Sequence, residues 1–216
     1  MDPQLTTTPA TARTDVPQSD QPIAAEPITP AAVRLLGLAL TGGTLAWATS
    51  VLLFGTVNEG VEERIGSLTG VAFQLGLFAL LAVQIRTRAT GDSRVSRAML
   101  KVELGLLAPA TLWSLLNGLL PESAQDHVAM GILDVFWPLS MLGMLVIGVK
   151  LAVAGRWRGP LRWWPLIAES WFAVTMPALI LAGEDGARWI GGGHLLLGYA
   201  TLGLLLTLRP SLVLPR

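Results

Sequence analysis

The stretch that decides the fold is WWPLIAESWFAVTMPALILAG, residues 163–183, which carries a single charged side chain, Glu169. A helix of about 20 apolar residues crosses the ~30 Å hydrocarbon core of a bilayer. Five further apolar runs of similar length can be marked along the chain, at about residues 35–56, 66–85, 99–120, 129–151 and 188–208. The sequence therefore predicts an all-α polytopic membrane protein, with a bundle of six transmembrane helices formed by residues 31–216.

The composition also indicates a chain embedded in a lipid bilayer. Hydrophobic residues make up 52% of the chain and charged residues only 14%, against about a quarter charged in globular domains. Cysteine is absent, which excludes disulfides, thiolate metal sites and cysteine catalysis. The formal net charge is zero and the sequence has no basic patch of the kind that binds phosphates, so we expect no nucleic-acid partner. No pattern indicates a metal or a cofactor.

Positive charge is segregated between the connecting loops. The loops after the second and fourth runs, RTRATGDSRVSR and KLAVAGRWRGPLR, are basic, whereas NEGVEER, PESAQDH and GEDGAR, after the first, third and fifth, are mainly acidic. Because Lys and Arg collect in cytoplasmic loops, the pattern predicts cytoplasmic termini, with only Arg64 and Arg188 outside. Arginine far outnumbers lysine in this Ala- and Gly-rich chain, which we interpret as a sign of a bacterial cell membrane protein.

Residues 1–30 form a polar leader ahead of the first run. They contain several prolines, many Thr, Asp and Gln residues and no aromatic residue. Such a composition cannot bury enough apolar surface to offset the entropy of ordering. We predict a disordered cytoplasmic tail, which is either an inert leader or a docking segment.

Tryptophans are divided between the membrane boundaries and the interior of the spans. The amphipathic indole ring is favoured at the membrane–water interface, where Trp157, Trp163 and Trp164 (inner) and Trp189 (outer) are expected. The other four are deeper in the spans, and we expect them to fill space between helices: Trp47, Trp113, Trp137 and Trp171.

Small residues recur at four-residue spacing on the first two spans. Helices in lipid associate through close packing and a few polar contacts, so such stripes are candidate contact faces. The contacts could be within the bundle, between two copies of the chain in a homo-oligomer, or with other membrane subunits. The stripes are Gly42, Ala46 and Ser50 on the first span, and Gly66, Gly70 and Gln74 on the second.

The third span has a polar face that must turn away from lipid. Its members lie within roughly 120° of one helical face, and they are Glu103, Ala110, Thr111, Ser114, Asn117 and Gly118. Prolines inside spans three, four and five, at Pro109, Pro138 and Pro177, each release the carbonyl four residues earlier. Membrane helices tolerate this where neighbours, hydroxyls or water satisfy the carbonyl. Both features favour a polar interior.

Four ionisable residues inside the spans form two layers. Glu103 and Glu169 lie towards the cytoplasmic boundary, and Asp134 and His194 lie towards the outer one. A charge at the centre of a membrane helix costs about 2.5 to 3.5 kcal/mol on insertion scales. Each of the four should therefore face the bundle and be paired, protonated or hydrated. In the outer layer, Asp134, His194 and Asn117 are expected to converge, as a structural bond, a proton relay or half of a metal site.

Several roles are open for Glu169 in the inner layer. If Pro165 begins the fifth helix, the acid lies near the positive helix start and is a permanent structural charge. Boundary cations that could pair with it are Lys101, Arg162 and Arg34. Alternatively, Glu169 takes up and releases protons, or contacts another subunit.

Two general functions are compatible with these features. The absence of a strong catalytic or binding motif favours a non-catalytic membrane subunit or scaffold. The proline-broken helices and the two ionisable layers favour a small proton-coupled carrier, channel or ligand sensor.

An enzymatic function is suggested by a partial resemblance. Six spans with both termini inside, Ser140 on the fourth and GHLLLG on the sixth resemble an intramembrane rhomboid serine protease. The resemblance implies Ser140 as nucleophile and His194 as base. The family has Gly two residues before the serine, where this chain has Pro138, and the polar oxyanion donors expected from the second span are missing. Because the serine gains little without such donors, we assign no family and no catalytic residue from the sequence.

The predicted topology can be tested with single cysteines, because the chain has none of its own. An impermeant maleimide should label intact cells that carry Glu62→Cys, Gln125→Cys or Gly186→Cys, because these positions lie in the acidic loops. Ser93→Cys and Gly159→Cys should react only after permeabilisation. Labelling of Ser93→Cys in intact cells would overturn the predicted orientation.

Overall fold

The computed structural model describes residues 28–56 and 59–214, and within these ranges every regular element is helical. The predicted all-α class is therefore confirmed for this part of the chain. The helices are α1 (Pro30–Phe54), α2 (Gly60–Arg86), α3 (Arg94–Leu119), α4 (Glu122–Gln125), α5 (Val128–Asp134), α6 (Phe136–Ala154), α7 (Trp164–Glu169), α8 (Trp171–Leu195) and α9 (Thr201–Leu208). A π-helical turn, Leu196–Ala200, joins α8 to α9.

Local sequence explains where α1 and α3 begin. Thr29 Oγ1 accepts a hydrogen bond from the backbone N–H of Ala32 at 3.2 Å, and Pro30 follows as the first helical residue. Ser93 caps α3 in the same way. Residues 1–27 of the predicted tail lie outside the described ranges. Its last three residues belong to the folded part, since Ile28 is buried and Thr29 and Pro30 start α1.

Five helical stretches are long and apolar enough to cross a membrane: Pro30–Phe54, Gly60–Arg86, Arg94–Leu119, Val128–Ala154 and Trp164–Leu208. The first four correspond to the first four predicted spans. The predicted fifth and sixth spans are joined in the last stretch, which has 45 residues. A straight helix of that length would measure about 68 Å, more than twice the thickness of the hydrocarbon core.

This last stretch is bent back on itself at Gly183. The glycine has φ 68° and ψ −167°, a conformation that is strained for any residue with a side chain. Across the bend, Trp171 Nε1 donates a hydrogen bond to the carbonyl of Gly191 at 2.8 Å. Nearer the basic loops, Trp164 Nε1 donates to the carbonyl of Leu197 at 3.1 Å. The two limbs of α8 therefore lie antiparallel, and the bend falls between the fifth and sixth apolar runs.

Helix α1 packs between α2 and α9, and glycines allow both close approaches. A Cβ added at Gly43 would collide with the carbonyl of Ala72 on α2. A Cβ added at Gly37 would lie 2.7 Å from the carbonyl of Gly203 on α9. Small residues at these points let the backbones approach within van der Waals distance, which is the main source of helix association in lipid.

The small-residue stripe predicted on α1 is offset from its actual contact face. Ser50 is buried and Ala46 is half-buried, but Gly42 is exposed, and a Cβ added there would meet no atom within 4 Å. Within the chain, the contact face runs through Gly43 instead of Gly42. Four-residue spacing alone does not fix which side of a helix meets its neighbour, because the rotation of α1 depends on α2 and α9 together.

The stripe predicted on α2 mostly faces the bundle. Gly70 lies beside the indole of Trp47, and Gln74 Nε2 donates a hydrogen bond to the carbonyl of Ala110 on α3 at 3.5 Å. Gly66 is half-buried and lines a cavity described below. The α2 stripe therefore packs towards α1 and α3.

The basic loops meet at one end of the bundle. Asp92, in the loop after α2, is hydrogen-bonded to Arg156, in the loop after α6, and to Arg88 at 3.2 Å. The hydrogen bond from Arg156 is the largest cause of a lowered pKa at Asp92, so the carboxylate is charged at neutral pH. Trp157 Nε1 joins the same two loops by donating to Thr87 Oγ1 at 3.0 Å.

The acidic loops meet at the opposite end, where both basic residues are bound to backbone carbonyls. Arg64 Nη2 donates to the carbonyl of Leu120 at 3.5 Å, and Arg188 Nε donates to the carbonyl of Leu52 at 2.6 Å. These contacts tie the start of α2 to the end of α3, and the second limb of α8 to the end of α1.

Adjacent glycines on α1 give a matched pair for testing its crossing with α2. Gly43→Ala should lower the melting temperature of the detergent-solubilised protein, because the added Cβ has no room against Ala72. Overpacking of this kind typically costs about 1–3 kcal/mol. Gly42→Ala should leave the melting temperature equal or slightly higher, because Ala is about 0.5–1 kcal/mol better than Gly within a helix. Equal effects of the two substitutions would contradict the crossing.

Candidate functional site

Two of the predicted site residues, Glu103 on α3 and Glu169 at the end of α7, are buried in the part of the bundle nearer the basic loops; we call them the acid pair. Each is only 1% exposed. Ser140 Oγ donates a hydrogen bond to Glu103 Oε1 at 2.5 Å, and Gln84 Nε2 donates one to Glu169 Oε1 at 3.0 Å. The second oxygen of each carboxyl group, Oε2, has no hydrogen-bond partner among the described residues.

Helix α6 packs against both α3 and α7 and makes room for both acids. A Cβ added at Gly143 would collide with Glu103 Oε2, and a Cβ added at Gly148 would collide with Glu169 Oε2. The two glycines are separated by five residues, or about 7.5 Å along the helix axis. The two glycines of α6 are therefore what admits a pair of carboxyl groups into the bundle.

None of the boundary cations considered as partners of Glu169 reaches it. Lys101 and Arg34 are exposed, and Arg162 donates its hydrogen bond to a backbone carbonyl of α6. The ion pairs in the described part of the chain are those of Asp92 with Arg88 and Arg156, in the exposed basic loops. Pro165 stands at the start of α7, as the sequence suggests, but that helix ends at Glu169 itself. Glu169 is therefore not a structural charge paired with a cation.

Two residues beside the acid pair were not anticipated from the sequence. Gln84 is fully buried and donates the hydrogen bond to Glu169. The sequence feature that could have identified it is a second amide side chain, ten residues after Gln74, in an otherwise apolar run. Tyr199 is 1% exposed and belongs to the π-helical turn that packs against α7, the helix that ends at Glu169. Its ring meets that of Phe73 edge-on, with 5.0 Å between centroids. Nothing local in the sequence distinguishes Tyr199 from other interior aromatic residues.

Ser140 and His194 are not brought together. Ser140 donates its hydrogen bond to Glu103, whereas His194 Nε2 lies 3.2 Å from Ser170 Oγ. Across residues 28–56 and 59–214, no hydrogen bond joins the serine to the histidine. The nucleophile and base implied by the resemblance to rhomboid proteases therefore do not form a pair.

The expected convergence of Asp134, His194 and Asn117 is only partly found. Asn117 Nδ2 donates hydrogen bonds to Glu63 Oε1 and Ser67 Oγ, both at 3.0 Å. Asp134, at the end of α5, shares the wall of a cavity with Asn117, but it is exposed and not turned into the bundle as the sequence predicted, and His194 does not line the cavity. Because the second limb of α8 packs against the first, His194 faces that limb and not α3. Within the described ranges, no group of three or more His, Asp or Glu side chains is placed to hold a metal ion.

The cavity measures about 390 Å³ and lies towards the acidic end of the bundle. Its wall combines polar side chains with the four tryptophans that were expected to fill space between helices. Trp47 stands close to Trp171 and Trp137, with centroid distances of 5.0 and 6.0 Å. The tryptophans thus pack together and enclose a space at the same time. The residues that matter for its chemistry are Trp47, Trp113, Trp137, Trp171, Glu63, Asp134, Asn117, Ser50, Ser67 and Ser114.

No family model, curated protein or solved structure matches this chain. A fold alone would not identify an activity, because unrelated functions occur on the same scaffold. The acid pair and the cavity are where the described residues concentrate polar chemistry inside an apolar bundle.

The hydrogen bond at Glu103 can be tested by a double-mutant cycle. Ser140→Ala should destabilise the protein by about 1–3 kcal/mol, because it leaves the buried carboxyl group unsatisfied. In a Glu103→Leu background, the same substitution should cost much less, since no carboxyl group remains. Thr69→Val is the control, because that hydroxyl bonds only to carbonyls of its own helix and should matter little. If Ser140→Ala costs the same in both backgrounds, the hydrogen bond is not the source of the effect.

Proposed function

We propose that the chain is a multi-pass membrane protein that binds and releases a proton at the acid pair, as a small proton-coupled carrier or a proton-dependent ligand sensor. The observation that carries this proposal is the environment of Glu169. It is buried, it accepts one hydrogen bond from the neutral amide of Gln84, and it makes no ion pair with any described residue. A permanently ionised carboxylate in such a place needs a cation or several donors to offset its lost hydration. A carboxyl group that carries a proton for part of a cycle does not.

The unpartnered oxygens support the same function. Oε2 of Glu103 and Oε2 of Glu169 are buried and accept no hydrogen bond from any described residue. When a carboxyl group gains a proton, it changes from an acceptor only to a donor as well. Protonation therefore changes which hydrogen bonds this region can make.

The acid pair is close enough to the cavity for a proton to influence a ligand. Trp171 follows Glu169 by two residues, and Trp137 precedes Ser140 by three. Glu169, and Ser140 as the hydrogen-bond partner of Glu103, are thus each within one helical turn of a tryptophan of the cavity wall. The short break at Ser170, between α7 and α8, lies on this connection. A rearrangement at Glu169 would be transmitted to the wall through this segment.

We further propose six membrane crossings with both termini in the cytoplasm of a bacterial cell. The antiparallel limbs on either side of Gly183 support two crossings in the last apolar stretch, because each limb with its neighbouring helix approaches the ~30 Å core. The grouping of basic loops at one end, where Asp92 contacts Arg156, supports the orientation. The strong preference for arginine over lysine supports the bacterial source.

A second candidate is the non-catalytic membrane subunit or scaffold. The observation that favours it is the outward position of Gly42 on α1, where a Cβ would meet no atom within 4 Å. An exposed glycine on a membrane helix permits close approach of another helix, from a second copy of the chain or from another subunit. In that case the acid pair would be structural, and the chain would show no proton-linked response.

Infrared difference spectroscopy at acidic and mildly alkaline pH tests the proton function directly. The wild-type protein should show a protonated carboxyl C=O band that depends on pH, and Glu169→Gln should remove part of it. The variant should keep its melting temperature, because an amide approximates the neutral acid in shape and hydrogen bonding. Glu62→Gln, which removes an exposed carboxylate from the same protein, is the control and should leave the band unchanged.

The scaffold function predicts the opposite result. A melting temperature that is flat with pH in the wild type and falls sharply in Glu169→Gln, together with an unchanged carboxyl band, would identify Glu169 as a permanent structural charge. That outcome would exclude the proton function and favour the scaffold.

A further inference from the structure

We propose that the cavity at the acidic end binds a small organic cation, an amine or a quaternary ammonium compound. The carboxylates of Glu63 and Asp134 would supply the negative charge, and the four tryptophans of the wall would supply aromatic surface. The inference goes beyond the proton function and does not require it, because none of these residues belongs to the acid pair.

The charge of the cavity is the first argument. Its wall includes two carboxylates, and none of the described residues that line it is a Lys or an Arg. The two basic residues of this end, Arg64 and Arg188, are bound to backbone carbonyls elsewhere. A cleft lined by charges of one sign between low-dielectric walls concentrates ligands of the opposite sign. The cavity is therefore built to attract a cation.

The aromatic wall is the second argument. A cation within about 6 Å of an indole face is attracted by the ring quadrupole, and tryptophan gives the strongest such attraction. Trp137 and Trp171 are nearly perpendicular, at 84° with 5.7 Å between centroids, while Trp47 is tilted by 52° against Trp171. Trp137 and Trp171 thus meet edge to face, and all three rings line the cavity. Aromatic cages recognise quaternary ammonium groups.

The polar groups of the cavity are arranged before any ligand arrives. The hydrogen bond from Asn117 Nδ2 at 3.0 Å holds the carboxylate of Glu63, and Gln125 Nε2 in turn donates to the Asn117 carbonyl at 2.9 Å. Thr56 lines the cavity, and its buried Oγ1 has no hydrogen-bond partner among the described residues. A buried hydroxyl without a partner is costly unless something binds it. It could accept a hydrogen bond from an ammonium N–H or donate one to a ligand hydroxyl.

The size and composition of the cavity favour an organic cation over a metal ion. Its volume of about 390 Å³ lies within the range of small-molecule sites. Calcium prefers six to eight oxygen ligands and magnesium a tight octahedron. Among the described residues the wall has only two carboxylates, and no group of three or more His, Asp or Glu side chains is placed to hold a metal ion. An ammonium group bearing a few carbon atoms uses both the rings and the charges.

Choline and its uncharged isostere 3,3-dimethylbutan-1-ol provide the test, because they differ in charge and hardly in shape. Binding would be followed in a non-ionic detergent by isothermal calorimetry and by quenching of tryptophan fluorescence. Choline should bind saturably and at least about tenfold more tightly than the alcohol. Asp134→Asn should weaken choline binding about fivefold or more. This position is exposed, so the variant should fold normally, which its melting temperature would check.

Two further variants separate the site from the general charge of the surface. Glu62→Gln removes a carboxylate from the same end without touching the cavity, and it should leave choline affinity unchanged. Trp113→Leu should weaken binding of choline more than binding of the alcohol, because it removes a ring of the wall. Equal affinities for choline and the alcohol, equal losses in Glu62→Gln and Asp134→Asn, or no saturable binding of choline would each overturn the proposal.

The same measurement on Glu169→Gln distinguishes this proposal from the proton function. Choline binding at constant pH should survive that substitution, because Glu169 does not line the cavity. Loss of the pH-dependent carboxyl band with retained choline binding supports both proposals. An unchanged band with retained choline binding removes only the proton function.

Discussion

Two carboxyl groups buried in a lipid-embedded bundle, with no cation beside them, impose the constraint on which the rest of this structure depends. The hydrocarbon core offers no water, so each polar group must find its partner within the protein. Glu103 finds Ser140 on α6, and Glu169 finds Gln84 on α2. The first hydrogen bond joins α3 to α6 and the second joins α2 to α7, so each connects two helices that are distant along the chain. The positions of α3 and α7 relative to α6 and α2 are therefore fixed by polar satisfaction as well as by packing.

Glycine has two different uses in this bundle. On α1, Gly37 and Gly43 allow neighbouring backbones to approach, which strengthens dispersion contacts between helices. On α6, Gly143 and Gly148 make space for polar side chains, and each faces the unpartnered oxygen of a glutamate. The first use requires glycine itself, because even the Cβ of alanine would meet a backbone carbonyl of the neighbouring helix. The second depends on the reach of the facing carboxyl group, so it couples α6 to the ionisation of the interior.

The tryptophans of the cavity wall lie between the cavity and the acid pair. Trp137 and Trp171 belong to the wall of the cavity, and both are within a helical turn of residues bonded at the acid pair. A cation in the cavity would favour the ionised form of the nearby acids, whereas a proton at the acid pair would remove that negative charge. Each would disfavour the other, and by linkage the effect would be reciprocal. If both proposed sites operate, the distance that these tryptophans place between them sets how strongly the cation and the proton compete.

Much of the fold was predictable, because the relevant signals are local. The length and polarity of each run indicate which segments can lie in lipid, and the polar stripe of α3 correctly predicted that Ser114, Asn117 and Gly118 are buried. The bend at Gly183 also falls where an acidic stretch interrupts two apolar runs. The offset of the α1 contact face, from Gly42 to Gly43, was not predictable. A small residue is equally acceptable in both places until the neighbouring helices are known.

The sequence by itself determined that the chain has helical, apolar spans, charge-segregated loops and two acids, Glu103 and Glu169, that turn inwards. Only the tertiary structure decided the partners of those acids. Gln84 and Glu169 are 85 residues apart, and His194, which the sequence grouped with Asp134, instead faces Ser170. The physical reason is that hydropathy acts on each helix separately, through its transfer from water to lipid. The depth and rotation of a helix relative to its neighbours are set by the contacts of several helices together, so the sequence of one segment does not determine them.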